Sequence, residues 1–464
     1  MTAAREPEHL PSFEAKMRKE GLPEVVIETF AHYYRQLVSG STGMIPDDIL
    51  QPLGPDEIPS MDAVAAHAET GATELKHTIQ IVLNGGLGTS MGLTGPKSLL
   101  EVRNGLRFLD LTLRQTEKSG IRLAFMNSFN TDEETRAAVS RSDTRAKPLY
   151  FLQHKFPKVL RSDFSPAVRP GQPELEWNPP GHGDIYTALH TSGTLQRLLD
   201  EGIRYAFVVN SDNLGAVMNP SLLGYFCHKQ FPFMMEVARR TPADLKGGHL
   251  ARHRENGRLL LREIAQCPEE DIAAFQDIHR FRYFNTNTLW LHLPSLQALA
   301  KRERIIRLPM ILNPKTLDPR DSSSPEVYQI ETAMGAAVHL FEGAGAVCVP
   351  SSRFHPVKKC NDLLAVRSDC FLLDAAGRLR ENPERALDRI HIRLDPAFFS
   401  RIDMFDDRFP EGAPSLKDCR SLTVQGDVRF EGGVMLRGDV AITHPGPGQA
   451  VVPGGSVLEG EVRL

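Results

Sequence analysis

The chain has 464 residues, 41% hydrophobic and 24% charged, with a net charge of -4, enough for about three domains and without the basic excess that a nucleic-acid or membrane-surface partner would require. No apolar run approaches the roughly 20 residues of a membrane span, and the opening MTAAREPEHLPSFEAKMRKEG lacks the apolar centre of a signal peptide. Six cysteines, at 227, 267, 348, 360, 370 and 419, form no C-x-x-C pair; a zinc site or disulfide framework is not indicated, and a reducing cytoplasm is the expected setting.

Residues 1–75 read as a helical extension. Phe13, Met17, Leu22, Val26, Ile27, Phe30 and Tyr34 are spaced for one or two amphipathic helices, and a Pro- and Gly-containing stretch at 45–59 ends the pattern. From 76 to 375 strand-like and helix-like segments alternate. Strands are expected at 77–84, 121–127, 204–210, 233–239 and 284–291, and helices at 107–118, 131–140, 185–200, 220–229 and 294–303. Such alternation predicts an α/β domain with a mostly parallel sheet, whose ligands bind at the carboxyl ends of the strands.

The first of these strands runs into IVLNGGLGTSMGLTGPKS at 81–98, the most informative segment of the chain. Glycines 85, 86, 88, 92 and 95 let backbone N–H groups approach a polyanion, and Lys97 adds a mobile positive charge. The spacing is not a P-loop, because Pro96 separates Gly95 from Lys97. Nor is it the dinucleotide fingerprint, because the third glycine position falls on Met91.

Further along, PPGHGD at 179–184 sets His182 in a rigid turn, with Asp184 placed to cap the following helix. The strand FVVN ends in Ser211, Asp212 and Asn213; Asp212 is a hard oxygen ligand suited to Mg²⁺ on nucleotide phosphates, although turn chemistry alone would also explain it. In FNTNTLW, Asn285 and Asn287 fall on one strand face and could hydrogen-bond sugar hydroxyls. Lys358 in FHPVKK offers a second lysine, which taken alone is a surface charge.

A linker is expected at 376–419, and the character changes from 420 to 464. Leu422, Val428, Val434 and Val440 recur every six residues, and Val424, Phe430, Leu436 and Ile442 repeat that spacing, with Gly426, Gly432 and Gly438 in step. This period predicts a short parallel β-helix of about two coils, whose open end needs a neighbour.

Taken together, the motifs resemble those of the eukaryote-type UTP–glucose-1-phosphate uridylyltransferase family. LNGGLGTSMG at 83–92, GPKS at 95–98, MNSFNT at 126–131, PPGHGD at 179–184, NSDNLG at 210–215, KGG at 246–248, FNTNTLW at 284–290 and FHPVK at 354–358 follow the family order. The resemblance implies a Rossmann-like nucleotide-diphospho-sugar transferase domain and a left-handed β-helix. It implies Mg²⁺-dependent formation of UDP-glucose and pyrophosphate from UTP and glucose 1-phosphate, by direct attack on the α-phosphate. Leu83, Asn84, Gly85, Gly86, Lys97, Met126, Gln153, Gly181 and Asp212 would then bind the nucleotide. His182, Asn210, Gly248, Asn285, Asn287 and Lys358 would meet the sugar phosphate, Lys358 and Lys97 would be catalytic, and Asp212 would hold the metal. Association of copies through the β-helix is a further implication.

The chain departs from the family pattern at Leu93-Thr94, at Thr288 in place of asparagine, at Lys359-Cys360-Asn361, and at an inserted stretch, DPRDSSSP, at 318–325. Two rivals remain: a related pyrophosphorylase for N-acetylhexosamine phosphate or for many sugar phosphates, disfavoured by Ser90 where arginine is common, and a non-catalytic scaffold, disfavoured by the presence of Lys97, Asp212 and Lys358.

Overall fold

The computed structural model describes residues 7–464; residues 1–6 of the expected N-terminal extension lie outside the described residues. Two helices, Leu10–Lys19 and Glu24–Val38, open the described chain. Their spaced apolar residues do converge: Phe13, Met17, Phe30 and Tyr34 are buried together with Phe156, Trp177 and Met310. The stretch after them contributes a short strand, Leu50–Pro52, to the edge of the main sheet.

The main sheet is mixed, with a parallel centre. Strands Leu149–Leu152, Arg122–Asn127, Thr78–Asn84 and Tyr205–Asn210 lie side by side in parallel. Beyond them Tyr283–His292 pairs antiparallel with Tyr205–Asn210, and also with Phe233–Arg239 and His249–His253. Thr78–Asn84 is buried along its whole length. Its alternation splits two cores: Ile79, Ile81 and Leu83 face the helices Ile185–Thr191, Thr194–Asp200 and Leu293–Arg302. Val82 faces Phe108–Ser119, Asp132–Ser140 and Pro220–His228. The strand is covered on both faces, and it buries Gln80 and Asn84 as well as the apolar run Ile81, Val82 and Leu83.

The expected helix at 185–200 is two helices. Ser192-Gly193 interrupts it, with Gly193 at φ +72. The inserted stretch at 318–325 forms the loop of an antiparallel hairpin, Met310–Thr316 with Glu326–Thr332.

At the C-terminal end, His391–Leu394, Cys419–Gln425, Met435–Thr443 and Val457–Arg463 form one parallel sheet, and Val428–Phe430 pairs parallel with Ala450–Val452. Both six-residue series are buried from Leu422 to Ile442. Their core is continuous with Met91 of the glycine-rich loop, with Leu214 and with Val357. Among the described residues no helix is long and apolar enough to cross a membrane.

Candidate active site

Register brings the site together. In the parallel centre Asn210 lies opposite Leu83, Leu83 opposite Met126, and Asn127 opposite Leu152, so four carboxyl ends are level. The chain leaves Thr78–Asn84 toward Arg122–Asn127 and Leu149–Leu152, then returns to place Tyr205–Asn210 on the other side. The reversal opens a crevice between the loops that follow Thr78–Asn84 and Tyr205–Asn210, where ligands of open α/β sheets bind.

The loop after Asn84 folds back on itself. Leu87 bridges Pro96, and the Lys97 N–H donates to the Gly86 carbonyl at 3.1 Å. Leu93, a departure from the family pattern, packs beneath Gly88, where a Cβ would overlap its Cδ1. The fold-back aims Lys97 across the crevice: its Nζ lies 2.7 Å from Asp212 Oδ2. Lys358 Nζ reaches the same oxygen at 2.8 Å. The two lysines, 115 and 146 positions from Asp212 in sequence, thus form one ion triad with it.

Burial of Asp212 would raise its carboxyl pKa, but the ammonium groups of Lys358 and Lys97 outweigh burial and hold it below the usual value. Asp212 Oδ1 is buried and has no hydrogen-bond partner. No cluster of three or more His, Cys, Asp or Glu side chains that could hold a metal occurs among the described residues. A hard cation at Asp212 would therefore take its other oxygens from phosphates and water, the usual manner of Mg²⁺.

On the nucleotide side, Gln153 Nε2 donates to the Gly181 carbonyl at 2.6 Å, and its Oε1 sits where a Gly85 Cβ would come within 2.5 Å. Ser128 Oγ donates to the Gly85 carbonyl at 2.9 Å. Met126 is buried in the sheet. The Asn84 Nδ2 is spent on Asn127 and Thr135 at 2.8 and 2.9 Å, while its buried Oδ1 has no partner.

Gly181 adopts φ +78, where a Cβ would meet the Thr332 carbonyl at 2.5 Å. The turn seats His182 so that its Nδ1 accepts the Met334 N–H at 2.9 Å. That acceptor role places the ring proton on Nε2. Burial, then the Lys358 charge, push the imidazole pKa down to about 4, so the ring is neutral at ordinary pH. Asp184 stands at the cap position but caps nothing; its carboxylate takes the His154 N–H at 2.7 Å and the His154 ring at 3.0 Å instead.

On the expected hexose side, Tyr283–His292 carries a bulge. Glu236 pairs with Thr288 but Val237 pairs with Asn285, and Asn287 takes φ +56. Asn285 and Asn287 are therefore not on one regular face; they meet because Asn285 Nδ2 donates to Asn287 Oδ1 at 2.8 Å. Thr288 points away, with a buried Oγ1 that lacks a partner. Asn285 N–H donates to the Gly248 carbonyl, and a Gly248 Cβ would overlap Glu263 Oε2. Glu263 was invisible in the sequence, standing in LLLREIA among ordinary strand residues. Burial raises its carboxyl pKa against the opposing hydrogen bond from Asn285. The only hint was the glycine pair at 247–248, which implies a close neighbour.

Comparison with known proteins follows this geometry. The defining pattern of the UTP–glucose-1-phosphate uridylyltransferase family matches residues 27–437. The chain belongs to that family. It is 40% identical over 425 residues to the UTP–glucose-1-phosphate uridylyltransferase of Hordeum vulgare, covering 90% of this chain and 85% of the relative. It is 39% identical over 443 residues to that of Saccharomyces cerevisiae, covering 93% and 87%. Among solved structures, a mutant of UDP-glucose pyrophosphorylase from Leishmania major in complex with UDP-glucose superposes with a TM-score of 0.91 at 38% identity, covering 99% of this chain and 100% of that one. The Trypanosoma brucei UDP-glucose phosphorylase superposes with a TM-score of 0.89 at 40% identity, covering 98% and 99%. The matched residues include all three loops of the ion triad and the strand carrying Asn285 and Asn287.

Proposed function

We propose that the protein transfers the uridylyl group of UTP to glucose 1-phosphate, releasing pyrophosphate and forming UDP-glucose, reversibly. The observation that carries this reading is the triad at the strand reversal: two lysines from distant loops converge on one buried carboxylate. A phosphate oxygen of the sugar phosphate attacks the α-phosphorus of UTP, the bond to the β-phosphate oxygen breaks, and pyrophosphate leaves with that electron pair. Both reactants are anionic, so the residues chiefly position them and offset charge.

Lys97 and Lys358 would turn from Asp212 to phosphate oxygens, Lys358 at the transition state. Leu83, Asn84, Gly85, Gly86, Met126, Gln153 and Gly181 would line the nucleotide site. His182 would present Nε2–H toward the sugar phosphate, with Asn210 beside it. Gly248, Asn285 and Asn287 would hold the hexose, joined by Glu263. The unpartnered Oδ1 of Asp212 supports Mg²⁺ as the metal; when bound it would supply positive charge to the nucleotide phosphates.

The wider reading keeps the division into a helical extension at 1–75, a catalytic domain at 76–375, a linker at 376–419 and a β-helix at 420–464. A β-helix is supported by the parallel pairing of Leu422 with Val440, and its left hand is what the family resemblance implies. Association of copies through the coils is supported by the outer strand Val457–Arg463, which ends the sheet and leaves Val457 and Leu464 49% and 37% exposed. Six free thiols support a cytoplasmic setting.

The test is pyrophosphate release from UTP with Mg²⁺ and a panel of hexose 1-phosphates. Turnover fastest with glucose 1-phosphate is expected. Faster turnover with N-acetylglucosamine 1-phosphate would transfer the assignment to the related hexosamine enzymes, and no release with any sugar would remove it.

A further inference from the structure

Lys358 lies in a loop with no regular strand to hold it. Its side chain is 57% exposed, yet its Nζ reaches a buried carboxylate. Something other than packing of the lysine itself must set its position. The loop at 351–358 is tied to the loop after Asn210 at successive points. Asn213 Nδ2 donates to the Arg353 carbonyl at 3.2 Å, and Asn213 Oδ1 accepts the His355 N–H at 3.0 Å. The Val357 N–H then donates to the Asp212 carbonyl at 3.1 Å.

Behind these bonds stands a buried ion pair. Arg353 Nε and Nη2 donate to the two Glu236 oxygens at 2.7 and 2.8 Å, and Arg353 Nη1 donates to the Val217 carbonyl at 2.8 Å. Trp290 Nε1 donates to the same carboxylate at 3.0 Å, so Glu236 cannot swing. Gly215 lets the loops close up: a Cβ there would lie 2.6 Å from the Ser352 carbonyl oxygen. A two-point fork from the sheet thus fixes Arg353, and the Asn213 amide carries that fixed position to the segment ending in Lys358.

We propose that Asn213, together with the Arg353–Glu236 pair, is a positioning element of the reaction: it sets where Lys358 stands relative to Asp212 without touching substrate. This rests on the reading of Lys358 as a transition-state contact. Asn213 adjoins Asp212 in sequence, and its amide bonds Arg353 and His355, both on the N-terminal side of Lys358. One side chain therefore couples the carboxylate and the lysine that must act on the same phosphates.

The experiment is a double-variant cycle on the full chain, with steady-state kinetics and thermal melting of each protein. Asn213→Ala is expected to lower kcat about 30-fold or more while KM for UTP changes less than about threefold. In the Lys358→Ala background the same change should add almost nothing, because the group being positioned is gone. Arg353→Lys, which keeps the charge but loses the fork, should show the same pattern, and Asn213→Ser should recover part of the rate. If Asn213→Ala does not fold, Asn213→Ser and Arg353→Lys carry the cycle. Full additivity with Lys358→Ala, or rate losses that track melting temperature alone, overturns the positioning role. A Lys358→Ala enzyme with undiminished kcat overturns the reading of Lys358 instead.

Discussion

At the scale of single residues, the role proposed for the triad rests on few charges, and their removal should be expensive in rate. Loss of one preorganised charge contact to a transition state costs about 3–4 kcal/mol, or roughly 100- to 1,000-fold. Lys358→Ala is expected to lower kcat by that order with a smaller effect on UTP binding, read from steady-state kinetics. Asp212→Ala should lower turnover and also raise the Mg²⁺ concentration needed for half-maximal rate. Two of the histidines whose pKa burial lowers give a pH prediction. His182 and His355 are both pushed down to about 4, the first by burial and then Lys358, the second by burial and then Arg389. Unfolded histidine titrates near 6.5, so between about 6.5 and 4 the unfolded chain binds more protons than the folded one. Stability is then fully present above 6.5 and falls as pH drops through that window, by about 2 kcal/mol per histidine at pH 5. Urea melts at pH 7 and pH 5 should show the loss, and His355→Asn should flatten it. An unchanged slope in that variant would deny His355 its share.

At the scale of elements, glycines at the strand ends divide into two kinds. Gly181 holds a positive φ against a backbone carbonyl, which cannot yield. Gly181→Ala should cost about 1–3 kcal/mol of stability and disturb His182 with it. A Gly85 Cβ would meet side chains, the Gln153 amide oxygen at 2.5 Å and the Ser128 Cβ at 3.4 Å, not backbone. Gly85→Ala should leave the melting temperature within a few degrees and raise KM for UTP. Equal melting losses in the two variants would refute the distinction. Five strands of the ten-stranded main sheet were legible in the sequence, while Leu50–Pro52, Leu149–Leu152, His249–His253, Leu259–Arg262 and Gly345–Cys348 were not. Long strands buried on both faces write themselves as apolar runs, and each expected strand lies within a residue or two of its observed span. The six-residue series read just as directly, because each anchor fills one small interior. What the sequence hid depends on contacts between distant segments. The break at Gly193, the bulge that brings Asn287 to Asn285, the diversion of Asp184 to His154 and the approach of Glu263 to Gly248 leave no local period to find. Motif order carries the expected site, and strand register brings the ends at Asn84, Asn127 and Asn210 level with one another.

At the scale of the whole molecule, the parallel C-terminal strands and the crevice share one core. One apolar cluster runs from Met91, under the glycine-rich loop, through Val357 and Phe405 to Leu422 and Val452. Thermal or urea unfolding of the full chain should therefore show a single transition for loop and coils, followed by near-ultraviolet circular dichroism and by loss of turnover. A separate early melting of the coils with turnover retained would contradict a shared core. Association can be tested without cutting that core: Val457→Lys, on the outer strand, should lower the mass measured by light scattering if copies meet there, while turnover per chain is kept. The shared cluster also sets a timetable for biosynthesis. Met91 leaves the ribosome long before Val452, about 360 residues later in the chain. At common rates of translation that is an interval of roughly 20 to 70 seconds. Throughout it the glycine-rich segment has been made but lacks its last apolar partners, so the nascent enzyme is finished from its tail, and a ribosome that stalls within the final coils leaves the catalytic mouth unseated.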